Sequence, residues 1–125
     1  MATRSPWGGS LTQKIKPNKP KNIGQAAANK ALAIEALDKA FCLSITYDGL
    51  YRVVEVHTVG TTTAFRQAMS AWQVGGQSNT SAIPVWRLFC FDECFDVKLT
   101  NIPSEAPCSE YKKGAKQFRK IDREI

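Results

Sequence analysis

The sequence predicts a mainly β fold: one N-terminal helix, five short antiparallel strands closing into a small barrel, and a C-terminal extension that forms either a short helix or a packed arm. Three observations predict it. An alanine-rich run free of Gly and Pro comes first, an alternating run then leads into Asp48-Gly49, and further short apolar runs follow between polar breaks. At 125 residues, 43% hydrophobic and 22% charged, the chain has the size and composition of one globular domain.

Residues 1–22 read as a disordered arm. Pro6, Gly8, Gly9, Pro17 and Pro20 punctuate it, and apart from Trp7 it offers little to bury. From about Gln25 to Phe41 the pattern is helical. Alanine is the best helix former, Ile34, Leu37 and Phe41 share a face flanked by Ala33 and Ala40, and Glu35 can pair with Lys39. Asn22 is the expected N-cap.

Strands account for the middle of the chain, residues 23–102 being the predicted helix plus barrel. Leu43, Ile45 and Tyr47 alternate with Cys42, Ser44 and Thr46, the period of a half-buried strand. Asp48-Gly49 supplies the left-handed conformations of a tight hairpin, and "LYRVVEVH" returns antiparallel as far as Gly60. A third strand is expected over about Arg66–Val74, followed by the flexible polar loop "GGQSNTS". "VWRLFCF" places Trp86, Leu88 and Cys90 on one side and Arg87, Phe89 and Phe91 on the other, and "FDVKLT" is a short fifth strand. One helix and five such strands fit an SH3-like or Sm-like barrel. Residues 103–125 form a basic extension. Lys116, Arg119, Lys120 and Arg123 recur at helical spacing beside Phe118 and Ile121, predicting one short helix or an arm packed through Tyr111, Phe118 and Ile121.

The net charge of +6 sits in the tails. Residues 1–22 hold five basic side chains and no acid, residues 23–102 six basic and seven acidic, and residues 103–125 six basic and four acidic. Such arms serve phosphate attraction or plain solubility. No run approaches the roughly 18 apolar residues of a membrane helix, and the N-terminus lacks the apolar core of a secretory signal. The expectation is a cytoplasmic protein without membrane attachment, its four cysteines reduced.

In this order, a helix, "ITYDG", "RVVEVHTVG" and "WRLFCFDECFDVKLT" resemble the WYL domain, a family with an Sm-like, SH3-like barrel. The resemblance covers about Ala31 to Ile102, with Phe89 and Asp92 at the matching places of the closing strand. It implies the barrel and a regulatory module that senses nucleotides or nucleic acid. The naming Trp-Tyr-Leu triplet is absent, "MSAWQVGG" standing roughly in its place. Cys90 and Glu93 replace the ligand-contacting arginines, and no helix-turn-helix precedes the barrel.

Catalysis finds little support in the residues. His57 is the only imidazole, no nucleophile elbow or cysteine-protease signature is present, and Glu55 lies on the same strand face. A hydrogen-bonded strand-end histidine is the simpler account. Cys90, Cys94, Cys108 and His57 can be counted as four zinc ligands, but no paired close-spaced motif unites them, and neither metal nor cofactor is predicted. Phosphate-loop and dinucleotide fingerprints are missing.

The expected function is therefore non-enzymatic binding of nucleic acid or a nucleotide in a regulatory role. The predicted ligand residues are Arg52, Arg66, Arg87, Arg119 and Arg123 for phosphate, with Trp72, Phe89 and Phe91 (and Trp86) for base stacking. The alternatives are a protein-interaction adaptor, or a homo-oligomeric sponge that sequesters a nucleotide signal between protomers.

Overall fold

The computed structural model describes residues 20–78 and 82–125. The arm's Trp7, Lys14, Lys16 and Lys19, and the tip of the polar loop, lie outside the described residues. Residues 20–22 lie on the body. Asn22 donates its backbone N–H to the carbonyl of Asp92 (2.6 Å) and its side-chain amide to that of Cys94 (2.9 Å), while Lys21 pairs with Glu93 (2.8 Å).

A 3-10 turn (Ile23–Gln25) leads into α1 (Ala26–Lys39). Asn22 precedes that turn but makes no side-chain cap. The helix buries Asn29, Ala33, Ala36 and Leu37, one face at three- and four-residue spacing. The two alanines let the helix axis approach the sheet, and Asn29 ties it down by donating to the carbonyls of Phe91 (3.1 Å) and Cys94 (2.9 Å). Ala40 takes the left-handed conformation (φ 61°) that stops the helix. Phe41 therefore opens the first strand instead of closing the helix.

Six strands follow: β1 (Phe41–Tyr47), β2 (Leu50–Thr62), β3 (Gln67–Gly76), β4 (Val85–Cys90), β5 (Phe95–Pro103) and β6 (Phe118–Glu124). All pairings are antiparallel, in the order β4-β3-β2-β1-β5, with β6 also on β2. Asp48 (φ 54°) and Gly49 (φ 75°) form the β1–β2 turn, both left-handed as a two-residue hairpin requires. β2 organises the sheet. β3 runs along one of its edges from Arg52 to Thr61, and β1 occupies the other over residues 50–54. Thr58–Thr62 are left with a free edge, and β6 fills it.

Two expectations are corrected here. The C-terminal segment is a strand, not a helix, so the sheet has six strands among the described residues instead of five. β4 and β5 end the path without pairing to each other, and the described residues form one open sheet. The core lies between α1 and one sheet face, built on Leu43, Ile45, Val54, Val56, Val59, Met69, Phe89 and Phe91. Of the aromatics predicted to stack on bases, Phe89 and Phe91 are thus inside.

Candidate functional site

The opposite face of the sheet is covered as well, which is why residues 54–60 of β2 are buried without interruption. Its cover is the loop joining β5 to β6, residues 104–117. Two acceptors on β2 hold that loop. Glu55 is buried, and its Oε2 accepts the backbone N–H of Glu105 (2.7 Å). His57, fully buried, accepts the N–H of Cys108 at Nε2 (3.0 Å). Its Nδ1 therefore carries the proton and donates to the carbonyl of Glu55 (2.9 Å). At the far end of the loop the Glu124 carboxylate accepts from the Tyr111 hydroxyl and the Gly114 N–H, each at 3.1 Å.

Burial pushes the pKa of His57 below its ordinary 6.5, against a smaller upward pull from Glu55. The unfolded chain thus takes up a proton before the folded one does. Stability from the neutral ring is complete above about pH 6.5 and is lost as pH falls from there towards the folded pKa. Urea unfolding midpoints should drop between neutral and mildly acid pH, and His57→Gln should flatten that slope. An unchanged slope in the variant would show that the ring does not carry the effect.

Between loop and sheet lies a cleft of about 580 Å³, a size suited to a small ligand. Trp86 and Leu88 of β4 and Tyr111 of the loop give it an apolar, aromatic side. Lys112, Lys113 and Lys116, all exposed, give it a cationic rim, with Glu110 the one acidic residue in the lining. The aromatic rings brace one another. His57 meets Trp86 edge-on at 4.7 Å, Tyr111 lies 5.1 Å from His57, and Trp72 meets Trp86, its cross-strand neighbour, at 5.3 Å.

Of the nine predicted ligand residues, Trp86 and Arg87 line this cleft, and the Arg87 guanidinium also donates to the Ser78 hydroxyl. Trp72 does not line the cleft but packs beside Trp86, opposite it across β3 and β4. Arg52 points into the core, 1% exposed, and donates twice to the carbonyl of Tyr47. Arg66 pairs with Asp92 (2.6 Å), which raises its pKa further. Arg123 pairs with Asp38 (3.0 Å), and Arg119 stacks over Phe65 (4.6 Å). The sequence reading missed Leu88 and the lysines of the rim. Their signal is "EYKKGAK", a basic run with one aromatic just ahead of the last strand.

No protein-family model, curated protein or solved structure matches the chain. Chemistry at the site rests on geometry alone. His57 has both nitrogens committed to the backbone, and burial raises the thiol pKa of Cys42, Cys90 and Cys94, the last to about 12. Such thiols stay protonated at neutral pH and make poor nucleophiles or metal ligands. Among the described residues no His, Cys, Asp and Glu gather into a metal-binding group, and no helix is long and apolar enough to cross a membrane.

Proposed function

We propose that the chain is a non-enzymatic binding module that takes a nucleotide, free or within a nucleic acid, into the cleft under the 104–117 loop. The carrying observation is the pairing of Trp86 and Tyr111 with Lys112, Lys113 and Lys116 around one cavity. A base needs a flat apolar surface and its phosphate needs mobile cations beside it, and this cleft offers both within one ligand's reach. The ligand would pack the loop more firmly on the sheet, which gives a regulatory module something to report. In this reading the sheet is a WYL-like, Sm-like barrel left open between β4 and β5. The order of helix, Asp-Gly hairpin and long central strand supports it.

A thermal-shift and titration panel of mononucleotides and short oligonucleotides, each at low and high salt, tests the reading. A binder should raise the melting temperature, and its affinity should fall with salt. Lys112→Glu combined with Lys113→Glu should weaken binding at least tenfold, since charge-assisted contacts to phosphate are worth roughly 1.5–3 kcal/mol each. A panel in which no nucleotide or oligonucleotide binds would exclude the proposal. The adaptor alternative draws on the unpaired outer edges of β4 and β5, where Leu88 and Ile102 are exposed.

A further inference from the structure

The turn joining β2 to β3 carries a feature its own folding does not require. Thr62 closes this turn by donating its N–H to the carbonyl of Arg66 (2.8 Å) and accepting the N–H of Phe65 (2.9 Å). Its hydroxyl also accepts the N–H of Arg66 (3.1 Å). Every one of these bonds would survive with Gly or Asn at position 65. Phe65 instead stands there at φ 61°, a left-handed conformation that bulky side chains rarely adopt. The residue is 72% exposed, so the strain is not offset by burial. Among the described residues a cation attends it: the guanidinium carbon of Arg119, reaching from β6, lies 4.6 Å from the ring centroid. A strained residue that displays an aromatic ring with a cation across it points to a contact outside the chain.

The position of this pair says which contact. The turn borders the cleft: the N–H of Thr63 donates to the carbonyl of Gln117 (2.9 Å), itself a cleft residue. Phe118 is buried opposite Thr62, and Arg119 comes next along β6. Exposed Lys116 and Lys120 stand on either side of Phe118 in the chain, Lys120 within 3.6 Å of Asp122, and residues 112–123 hold six basic side chains against one acidic. Cationic groups interleaved with separated aromatic surfaces suit a strand whose phosphates follow the lysines and whose unpaired bases stack at intervals. A duplex keeps its bases stacked on each other and has none to offer.

We propose that Phe65 and Arg119 form a second base-stacking station, and that the ligand of the cleft is single-stranded nucleic acid, not a lone nucleotide. This rests on reading the cleft as a nucleotide site. One base enters the cleft beside Trp86 and Tyr111, the backbone runs along Lys116 and Lys120, and a later base stacks on Phe65.

The test compares a mononucleotide with a short oligothymidylate and a short oligouridylate, using the full chain and Phe65→Gly. Glycine removes the ring and also relieves the positive φ, so the variant should unfold no earlier than the parent. Its affinity for the oligonucleotides should fall about tenfold, with mononucleotide affinity unchanged. Phe65→Trp should keep the oligonucleotide affinity. A full chain that binds mononucleotide and oligonucleotide equally well, or a Phe65→Gly variant that keeps full oligonucleotide affinity, overturns the second station and leaves the cleft standing. A full chain that binds neither overturns both.

Discussion

Gly60→Ala should detach the C-terminal strand and lower stability by about 2–4 kcal/mol, at the upper end for overpacking. A Cβ on Gly60 would stand 2.1 Å from the carbonyl oxygen of Lys120 and 3.0 Å from the Cα of Ile121. Both are backbone atoms of a paired strand, so neither can swing aside as a side-chain end would. Relief requires β6 to leave β2, and with it goes Glu124, whose carboxylate holds Tyr111 and Gly114. The damage should therefore spread from one methyl group to the wall of the cleft. Hydrogen exchange should show lost protection in β6 and in the 104–117 loop, with β1–β3 protected as before. A variant with the parent's melting temperature and exchange pattern would mean that β6 does not cross β2 at Gly60.

The same strand shows where the sequence misleads. Helix, hairpin and the first five strands were legible because each is specified locally, by alanine content, by Asp48-Gly49, or by alternation. In β6 the less exposed residues are Phe118, Ile121 and Glu124, three apart, a spacing that imitates a helix. The pairing register explains it. Thr62, Thr61, Gly60 and Val59 face Phe118, Lys120, Ile121 and Arg123, so Arg119 and Asp122 are each one residue too many. Two bulges stretch a period of two into a period of three. No window of sequence distinguishes a twice-bulged strand from a short amphipathic helix, because the difference lies in the partner.

The candidate site was less legible than the fold, for a related reason. An arginine on a strand is expected to reach a ligand only where that face of the sheet is open. α1 covers one face and the 104–117 loop the other, so residues 54–60 of β2 have no open face. Arg52 falls on the helix side and Glu55 and His57 on the loop side, all buried. Phe91 lies not in β4 but in the 3-10 turn after it (Phe91–Glu93), which places it in the core together with Phe89. The cationic residues that do rim the cleft sit in a loop, where periodicity carries no information. His57 was half transparent: the hydrogen-bonded position was expected, but β2 runs on to Thr62, so the ring sits within the strand and not at its end, and it bonds the backbone carbonyl of Glu55 while the carboxylate serves Glu105.

Arg52→Met should cost about 3 kcal/mol of stability and leave nucleotide affinity nearly unchanged, the reverse of what a phosphate-binding arginine would show. Methionine keeps much of the stem's volume but none of its donors. Nε (3.2 Å) and one terminal nitrogen (3.1 Å) of Arg52 serve the Tyr47 carbonyl, and the other terminal nitrogen reaches Oε1 of Gln73 (3.4 Å). The Gln73 amide in turn donates to the carbonyls of Gly75 and Gln77, so the arginine steadies the end of β3 through its neighbour. The guanidinium lies 5.7 Å from the rings of both Tyr47 and Phe89, cationic contacts that a thioether cannot replace. Burial, and after it the charge of Arg87, pulls the Arg52 pKa down, yet an arginine keeps its proton in a folded protein. Losing charged hydrogen bonds while leaving a buried carbonyl short of donors accounts for the expected size. Arg52→Lys should recover little, because one ammonium cannot serve Tyr47 and Gln73 with the geometry of the planar fork. Urea unfolding gives the stability, and titration well below the melting temperature gives the affinity of what remains folded. Parent-like stability with lost affinity would move Arg52 out of the scaffold and onto the ligand.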